Sequence, residues 1–208
     1  MSGAGAPDFF CREAQRLGYV ARSAFKLLQM QKQYKLIKLG SSILDLGCAP
    51  GAWLQVACQS LGPLKTGGVV VGIDLKQQGF SVILSDMCPL VSGISIKDAA
   101  LSAELGMGAL DLAIGSGALS DIDTNDVNRE GQSDGSASGS NDGGVLRPGG
   151  HLVIKLLESE DLKEFSRICK LLFRKASWLR PKATRSSSRE IYLICQGLLP
   201  LVRTKSTP

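Results

Sequence analysis

The chain has 208 residues, a formal net charge of +5, 44% hydrophobic residues and 21% charged residues. These values are typical of a globular domain rather than a disordered or fibrous chain, and the length suits one α/β domain better than two. No apolar run approaches the roughly 20 residues that a membrane-spanning helix needs. We therefore expect a single domain over residues 1–208, a monomer that does not cross a membrane.

The six cysteines are scattered, without CxxC spacing or nearby metal ligands. This pattern favours reduced thiols in an intracellular protein and indicates no metal site. Residues 1–6 are small and uncharged, which fits neither a secretory signal nor an Arg-rich transit peptide. The cytoplasm, the nucleus, and a mitochondrion or other organelle all stay open as compartments.

Strands alternate with helices along the chain. Residues 22–34 have apolar side chains at helical spacing, and further helices are predicted over 51–61, 97–114 and 161–174. Strands are predicted over 42–47, 69–74, 80–86, 151–157, 176–179 and 191–196. This alternation predicts an α/β fold with a Rossmann-like, doubly wound, mainly parallel sheet, whose ligands bind at the carboxyl ends of the strands.

Residues 115–144 differ from the rest of the chain. They are rich in Gly, Ser, Asp and Asn and contain almost no large apolar residue. Such a segment cannot bury enough apolar surface to order itself. We expect a disordered insertion.

The stretch DLGCAPGAW follows the first strand and opens a helix. Gly47 and Gly51 allow a tight turn and a close approach of the backbone to a ligand, and Asp45 adds a carboxylate at the strand end. The stretch lacks the GxGxxG pattern and the lysine of a P-loop. Asp74, at the end of the next strand, is placed to accept hydrogen bonds from ribose hydroxyls. A nucleoside cofactor without a pyrophosphate is favoured; the alternative is a turn with no ligand.

Four charged residues interrupt or border apolar elements: Lys26 in AFKLL, Asp86 in ILSDMCP, Lys155 in LVIKLL and Glu190 in SREIYLI. A charged side chain in a buried element is costly unless it is paired or functional. Four of them with both signs are explained most economically by one converging site, in which neighbouring charges prepare a lysine to act as a base.

The sequence resembles the FtsJ-type ribose 2′-O-methyltransferases. The matching stretches are RSAFKL, DLGCAPGAW, SDMCPLVSG, LRPGGHLVIKLL and KATRSSSREIYLIC, which span most of the chain. The resemblance implies the class I methyltransferase fold, S-adenosylmethionine as cofactor and ribosomal RNA as substrate.

The resemblance also implies roles for single residues. Lys26, Asp86, Lys155 and Glu190 match the catalytic tetrad of that family. Lys155 would take the proton from the ribose hydroxyl, Asp86 would orient Lys155, and Lys26 and Glu190 would position the ribose. The implied cofactor-binding residues are Asp45, Gly47, Gly51, Trp53, Asp74 and Asp86. Methyl transfer from a sulfonium requires alignment and a positioned base but no metal.

The distribution of charge along the chain indicates what kind of partner the protein binds. Between Lys163 and Arg189 there are nine Lys or Arg residues and one acid, Glu164. This basic tract suits RNA, although a solvated helix face would look the same. We expect Arg180, Lys182 and Arg185, together with Arg12, Arg16 and Arg22, to contact phosphates.

Several interpretations stay open. The alternative to an RNA methyltransferase is a non-catalytic RNA-binding or ribosome-assembly protein with the same fold. The same tetrad would serve methylation of an mRNA cap, but the small size of the chain favours ribosomal RNA. Tyr192 and Trp178 are expected in the core or at its rim, and His151 is expected to have its ring satisfied locally.

The interval between Asp74 and Phe80 is unusually short. In the implied fold, the strands ending at Asp74 and Asp86 flank the first strand and run parallel to it, so the chain must return along the whole sheet between them. Such a crossover takes a dozen or more residues; about five residues reach at most about 17 Å. We expect that one helix–strand unit is missing after Asp74, and that this strand is an exposed or frayed edge.

Overall fold

A computed structural model describes residues 9–63, 65, 67–71, 79–115, 143–160 and 162–200. Within these residues the helices are α1 (Phe9–Arg16), α2 (Ala24–Tyr34), α3 (Ala52–Leu61), α4 (Ser95–Ile114) and α5 (Leu162–Leu172). The strands are β1 (Ser42–Leu46), β2 (Val69–Val71), β3 (Phe80–Ser85), β4 (Leu146–Leu157), β5 (Phe173–Leu179) and β6 (Glu190–Leu198).

The strands form one sheet in the order β2-β1-β3-β4-β6-β5. The pairs from β2 to β4 are parallel, and β6 is antiparallel to both β4 and β5. The prediction of a mainly parallel sheet is confirmed, with β2 and β3 on either side of β1.

Helices cover both faces of this sheet. One core joins α2 and α3 to the side chains of Ile43, Val82 and Val153, and the other joins α4 and α5 to Leu44, Ile83 and Leu152. Consecutive residues of each strand thus point to opposite faces of the sheet, as the pleat requires. Both faces are apolar because both are buried.

The boundary between α5 and β5 differs from the prediction. A helix through residue 174 is wrong, because Phe173 and Lys175 pair with Leu198 and Gln196 in the sheet. The buried side chain of Phe173 also packs in the core that α5 covers. Pairing with a distant strand therefore overrides the helical pattern of the local sequence. The predicted strand at 151–157 is also longer, since β4 begins at Leu146.

The register of the sheet brings the strand ends that carry charged residues close together. Leu46 pairs with Ser85, and Ser85 pairs with Ile154, so the residues after β3 lie beside Lys155. In the antiparallel pair, Lys155 is opposite Tyr192 and Leu157 is opposite Glu190. The carboxyl ends of β1, β3 and β4 and the amino end of β6 thus lie at the same end of the sheet.

Strand β2 lies at one edge of the described sheet and is only three residues long. Val69 is partly exposed, as expected for an edge strand. Asp74 and the short interval after it lie outside the described residues, as do residues 116–142 of the predicted insertion. The described ends of that insertion are adjacent, because Gly144 packs directly against the backbone of Ala113 and Ile114. No described helix is both long enough and apolar enough to span a membrane.

Candidate functional site

Lys155 and Asp86 form the centre of the charged site. The Nζ atom of Lys155 lies 3.1 Å from Oδ1 of Asp86 and donates a hydrogen bond of 2.5 Å to the Asp86 carbonyl oxygen. Lys155 is 8% exposed, so its side chain is largely shielded from solvent. Two acceptors from a single residue fix the position of this amine.

Lys26 and Glu190 form a second ion pair. The Nζ atom of Lys26, on α2, lies 2.5 Å from Oε2 of Glu190, at the start of β6. Burial opposes ionisation of Glu190, but its hydrogen bond and ion pair with Lys26 prevail and lower the pKa of the carboxyl group. Glu190 is therefore an anion at neutral pH.

Tyr192 joins the two pairs. Its hydroxyl donates a hydrogen bond of 2.7 Å to Oδ1 of Asp86 and accepts one of 3.3 Å from Nζ of Lys26. The side chain is fully buried, and burial followed by the charge of Asp86 raises the pKa of Tyr192 well above its usual value near 10. The phenol remains neutral and keeps its proton for Asp86.

Tyr192 is the functional residue that the sequence interpretation placed only in the core or at its rim. It is in the core, yet its hydroxyl is also part of the charged network. The signal that could have found it is its position two residues after Glu190, because alternate residues of a strand point to the same face.

A cleft beside these residues is lined by the loop after β1 and the start of α3. Asp45, Gly47, Trp53 and Asp86 contribute to its wall. The Asp45 side chain is 1% exposed, and neither of its carboxylate oxygens has a hydrogen-bond partner among the described residues. Burial, followed by the charge of Asp86, raises the pKa of Asp45 to about 7. This carboxylate is suited to a ligand that brings hydrogen-bond donors and positive charge.

The loop that carries Asp45 depends on its glycines. Gly47 has a φ of +77°, and a Cβ atom there would lie 3.0 Å from Cγ of Met87, next to Asp86. Gly51 has a φ of +103° and caps α3. This backbone conformation turns the chain into the helix, and Gly51 is not among the residues that line the cleft described above.

Trp53 combines a structural contact with its place at the cleft. Its indole N–H donates to the Ser23 carbonyl oxygen at 3.0 Å, and its ring packs 5.8 Å from that of Tyr192. The indole therefore connects α3 with the start of α2 and with the charged network. Of the predicted cofactor residues, only Asp74 lies outside the described part of the chain.

A second cleft opens on the other side of Lys26. Arg22, Lys26, Arg185 and Glu190 are among the residues that line it. Burial and then the nearby charge of Arg185 lower the pKa of Arg22. The two guanidinium groups are thus close enough to repel each other, an arrangement that favours an anion between them.

The predicted basic tract does not form one surface. Its first part is on α5, which packs on the opposite face of the sheet from α2. Arg180 bonds the carbonyl oxygens of Ser188 and Glu190 and lies 3.3 Å from the carboxylate of Glu158. Arg180 therefore shapes the loop before β6, while Lys182 and Arg185 are exposed beside the second cleft.

His151 is satisfied locally, as predicted. Its Nδ1 atom accepts a hydrogen bond of 3.1 Å from the Gly197 N–H on the neighbouring strand. It lies four residues before Lys155 along β4, away from the strand end. The histidine therefore has a structural contact and no place in the charged site.

The chain is similar to known methyltransferases. The FtsJ-like methyltransferase family matches residues 19–81 and 77–198. A ribosomal RNA large subunit methyltransferase E of Desulfatibacillum aliphaticivorans is 34% identical over 215 residues, covering 90% of this chain and 88% of that protein. The protein of the same name from Desulfosudis oleivorans is 31% identical, covering 92% of this chain and 91% of its own.

A solved structure supports the fold. A ribosomal RNA methyltransferase of Plasmodium falciparum superposes with a TM-score of 0.60 at 20% identity, covering 89% of this chain and 100% of that one. This likeness shows that the two chains share a fold.

The comparisons also bear on the short interval after Asp74. The alignment with the Desulfatibacillum protein extends over 215 residues, more than the 208 residues of this chain, although only 90% of the chain takes part. That relative therefore contains residues that this chain lacks within the aligned region. The two family matches overlap at residues 77–81, which include the end of the short interval.

Proposed function

Since the chain belongs to the FtsJ-like methyltransferase family, we propose that it transfers a methyl group from S-adenosylmethionine to the 2′-hydroxyl of a ribose in large-subunit ribosomal RNA. The observation that carries the proposal is the network of Lys26, Asp86, Lys155 and Glu190 around the Tyr192 hydroxyl. It lies next to a cleft with an unpartnered carboxylate, that of Asp45.

The residues of this cleft fit the proposed cofactor. S-adenosylmethionine carries an ammonium group and ribose hydroxyls, which are donors for the two free oxygens of Asp45. Asp45, Gly47, Trp53 and Asp86 would hold it, and by family resemblance Asp74 would take part. When bound, the cofactor supplies a methyl group made electrophilic by its positively charged sulfur.

Lys155 is suited to receive the proton of the attacking hydroxyl. The proton that the ribose hydroxyl loses on methylation would pass to Nζ of Lys155, which accepts it in its amine form. The resulting ammonium group is then held by the two Asp86 oxygens that already bind it. Lys26, paired with Glu190, bonds the same Tyr192 hydroxyl that donates to Asp86 and so helps to fix the position of this base.

The second cleft is suited to the RNA backbone. Arg22 and Arg185 would bind a phosphate near the methylated ribose, and the exposed Lys182 would extend this contact. The relatives at 34% and 31% identity are named ribosomal RNA methyltransferases, which supports ribosomal RNA as the substrate. A non-catalytic RNA-binding protein would not need two linked, largely buried ion pairs, which are costly to maintain.

Methyl transfer from labelled S-adenosylmethionine tests the proposal, with large ribosomal subunits and naked ribosomal RNA as substrates at saturating cofactor. We expect Lys155→Ala to lower the rate by about 10² to 10⁴ while cofactor affinity stays within about twofold, because the base acts on the RNA hydroxyl. The matched control is Lys38→Ala, an exposed lysine before the amino end of β1, whereas the site lies at the carboxyl end of that strand. Retention of most activity by Lys155→Ala would remove this residue from the role of base, and no transfer to any RNA would refute the function.

A further inference from the structure

Residues 89–96 expose an unusual number of aliphatic side chains. Leu90 is 96% exposed, Val91 69%, Ile94 61% and Ile96 85%. Single exposed aliphatic residues are common on protein surfaces, but a contiguous group marks an interaction site. We refer to these residues as the apolar segment.

The apolar segment has a defined shape. Asp98, which is 3% exposed, accepts hydrogen bonds from the N–H and hydroxyl groups of Ser92 at 2.8 and 2.6 Å, and from the Gly93 N–H at 3.2 Å. The bonds from Ser92 lower the pKa of Asp98, so its carboxylate stays charged at neutral pH. A buried carboxylate thus holds the backbone in a fixed turn while the aliphatic side chains face solvent.

The segment borders the charged site. It begins three residues after Asp86, and the guanidinium group of Arg189 connects it to the rest of the site by bonding both the Ser95 hydroxyl and the Glu158 carbonyl oxygen. It continues into α4, on the face of the sheet opposite α2 and Arg22. The apolar segment, which follows Asp86, and the second cleft, which Lys26 and Glu190 line, therefore border the charged site from two sides.

We propose that the apolar segment binds nucleobases of the RNA next to the methylated ribose; this inference rests on the proposed function. Lys26 and Lys155 are each only 8% exposed, so the ribose has to enter the cleft and its base loses stacking partners. Apolar side chains beside the cleft offer that base a new contact surface. Single-stranded RNA presents anions and apolar base faces together, which matches guanidinium groups on one side and aliphatic side chains on the other.

The expected contact discriminates little among bases. The exposed side chains of the segment that we assign to base contact are aliphatic and carry no hydrogen-bonding group. They read the presence of a base face rather than its edge. The neighbouring Lys97, also exposed, suits a flanking phosphate.

Fluorescence anisotropy tests the inference with two labelled probes of equal length, a 12-nucleotide oligouridine and an abasic sugar–phosphate oligomer. We expect the double variant Leu90→Gln/Ile96→Gln to bind oligouridine about tenfold more weakly than the wild type, and to bind the abasic oligomer equally well. The matched control is Leu39→Gln/Leu171→Gln, with side chains 68% and 52% exposed away from the site. This control should behave as the wild type with both probes.

Each other outcome overturns the inference in a distinguishable way. Unchanged preference for oligouridine in the double variant would mean that the segment does not touch bases. An equal loss for both probes would mean that it touches the backbone instead. Normal binding of both probes but weaker association with large ribosomal subunits would identify a protein partner. If the wild type bound neither probe at low salt, the proposed function itself would fail.

Discussion

The hydroxyl of Tyr192 donates a hydrogen bond of 2.7 Å to the carboxylate of Asp86. Through the same oxygen, Tyr192 also accepts a hydrogen bond from Lys26, so a neutral side chain couples two ion pairs that share no direct contact in the described network. The position of Asp86, and with it that of Lys155, therefore depends on a residue that carries no charge.

We expect Tyr192→Phe to lower kcat by about ten- to a hundredfold, because a hydrogen bond to a charged group is lost from the network. The apparent KM for the cofactor should stay within about twofold, since the aromatic ring still fills the core. Steady-state kinetics measure both values, and Tyr34→Phe is the control at a partly buried tyrosine away from the site. Unchanged kcat in a folded Tyr192→Phe variant would show that the hydroxyl does not position Asp86.

The carboxyl group of Asp45 makes stability depend on pH. Its pKa rises from an ordinary 3.8 to about 7 in the folded protein, first through burial and then through Asp86. The resulting stability is full below about pH 4 and is lost as the pH rises towards 7. We expect the melting temperature of the cofactor-free wild type to fall relative to Asp45→Asn between pH 5 and pH 8. A constant difference between the two proteins would contradict this reading.

The same group predicts how cofactor affinity changes with pH. A cationic cofactor favours ionised Asp45, so affinity should rise about tenfold from pH 6 to pH 8, with release of a proton on binding. Calorimetric titration in two buffers of different ionisation enthalpy measures both effects. A flat affinity profile would show that Asp45 does not contact the cofactor.

RNA affinity should depend on salt through the loop before β6 and not through α5. Replacing Lys182 and Arg185 by Gln should reduce the slope of log affinity against log salt by about 1.4 for single-stranded RNA, since two phosphate contacts are lost. Replacing Lys163 and Lys170, on α5, should leave the slope unchanged. Anisotropy titrations at several salt concentrations give the slopes. Equal slopes for all variants would mean that Lys182 and Arg185 are solvated and do not contact RNA phosphates.

Restoring residues after Asp74 should strengthen the cofactor site. We expect a form that carries the corresponding segment of a relative between Asp74 and Phe80 to melt higher and to bind S-adenosylmethionine more tightly. The physical reason is that β2, with three described residues, lies at the edge of the sheet, and an added strand would pair with β2 and cover this edge. Thermal melting and calorimetry compare the two forms, and equal affinities would mean that the short interval is tolerated.

The four charged residues of the site could be predicted from sequence because each one contradicts its surroundings. Lys155 lies within an apolar strand and Lys26 lies between apolar residues at the start of α2, which is unfavourable for a charge without partners. The alternation of strands and helices predicted the fold class, whereas the strand order around β1 was expected from the fold that the family resemblance implies.

Other features depend on contacts between distant parts of the chain. Tyr192 in a strand looks like a core residue, and the antiparallel register that sets it opposite Lys155 places its hydroxyl in the charged network. Likewise, the basic tract does not show from sequence that Arg180 bonds the carbonyl oxygens of Ser188 and Glu190. The start of β5 at Phe173 required the partner strand β6. Helix α1, with eight residues, has too short a pattern to stand out.

The position of the transferred methyl group tests the central claim most directly. After reaction with labelled S-adenosylmethionine, ribosomal RNA from large subunits is hydrolysed with alkali, which cannot cleave the linkage after a 2′-O-methylated ribose. We predict that the label remains in alkali-resistant dinucleotides, and that enzymatic digestion yields one 2′-O-methylated nucleoside, both being absent with Lys155→Ala. Label recovered in a methylated base, or in alkali-sensitive mononucleotides, would contradict the assignment of the ribose hydroxyl as the acceptor.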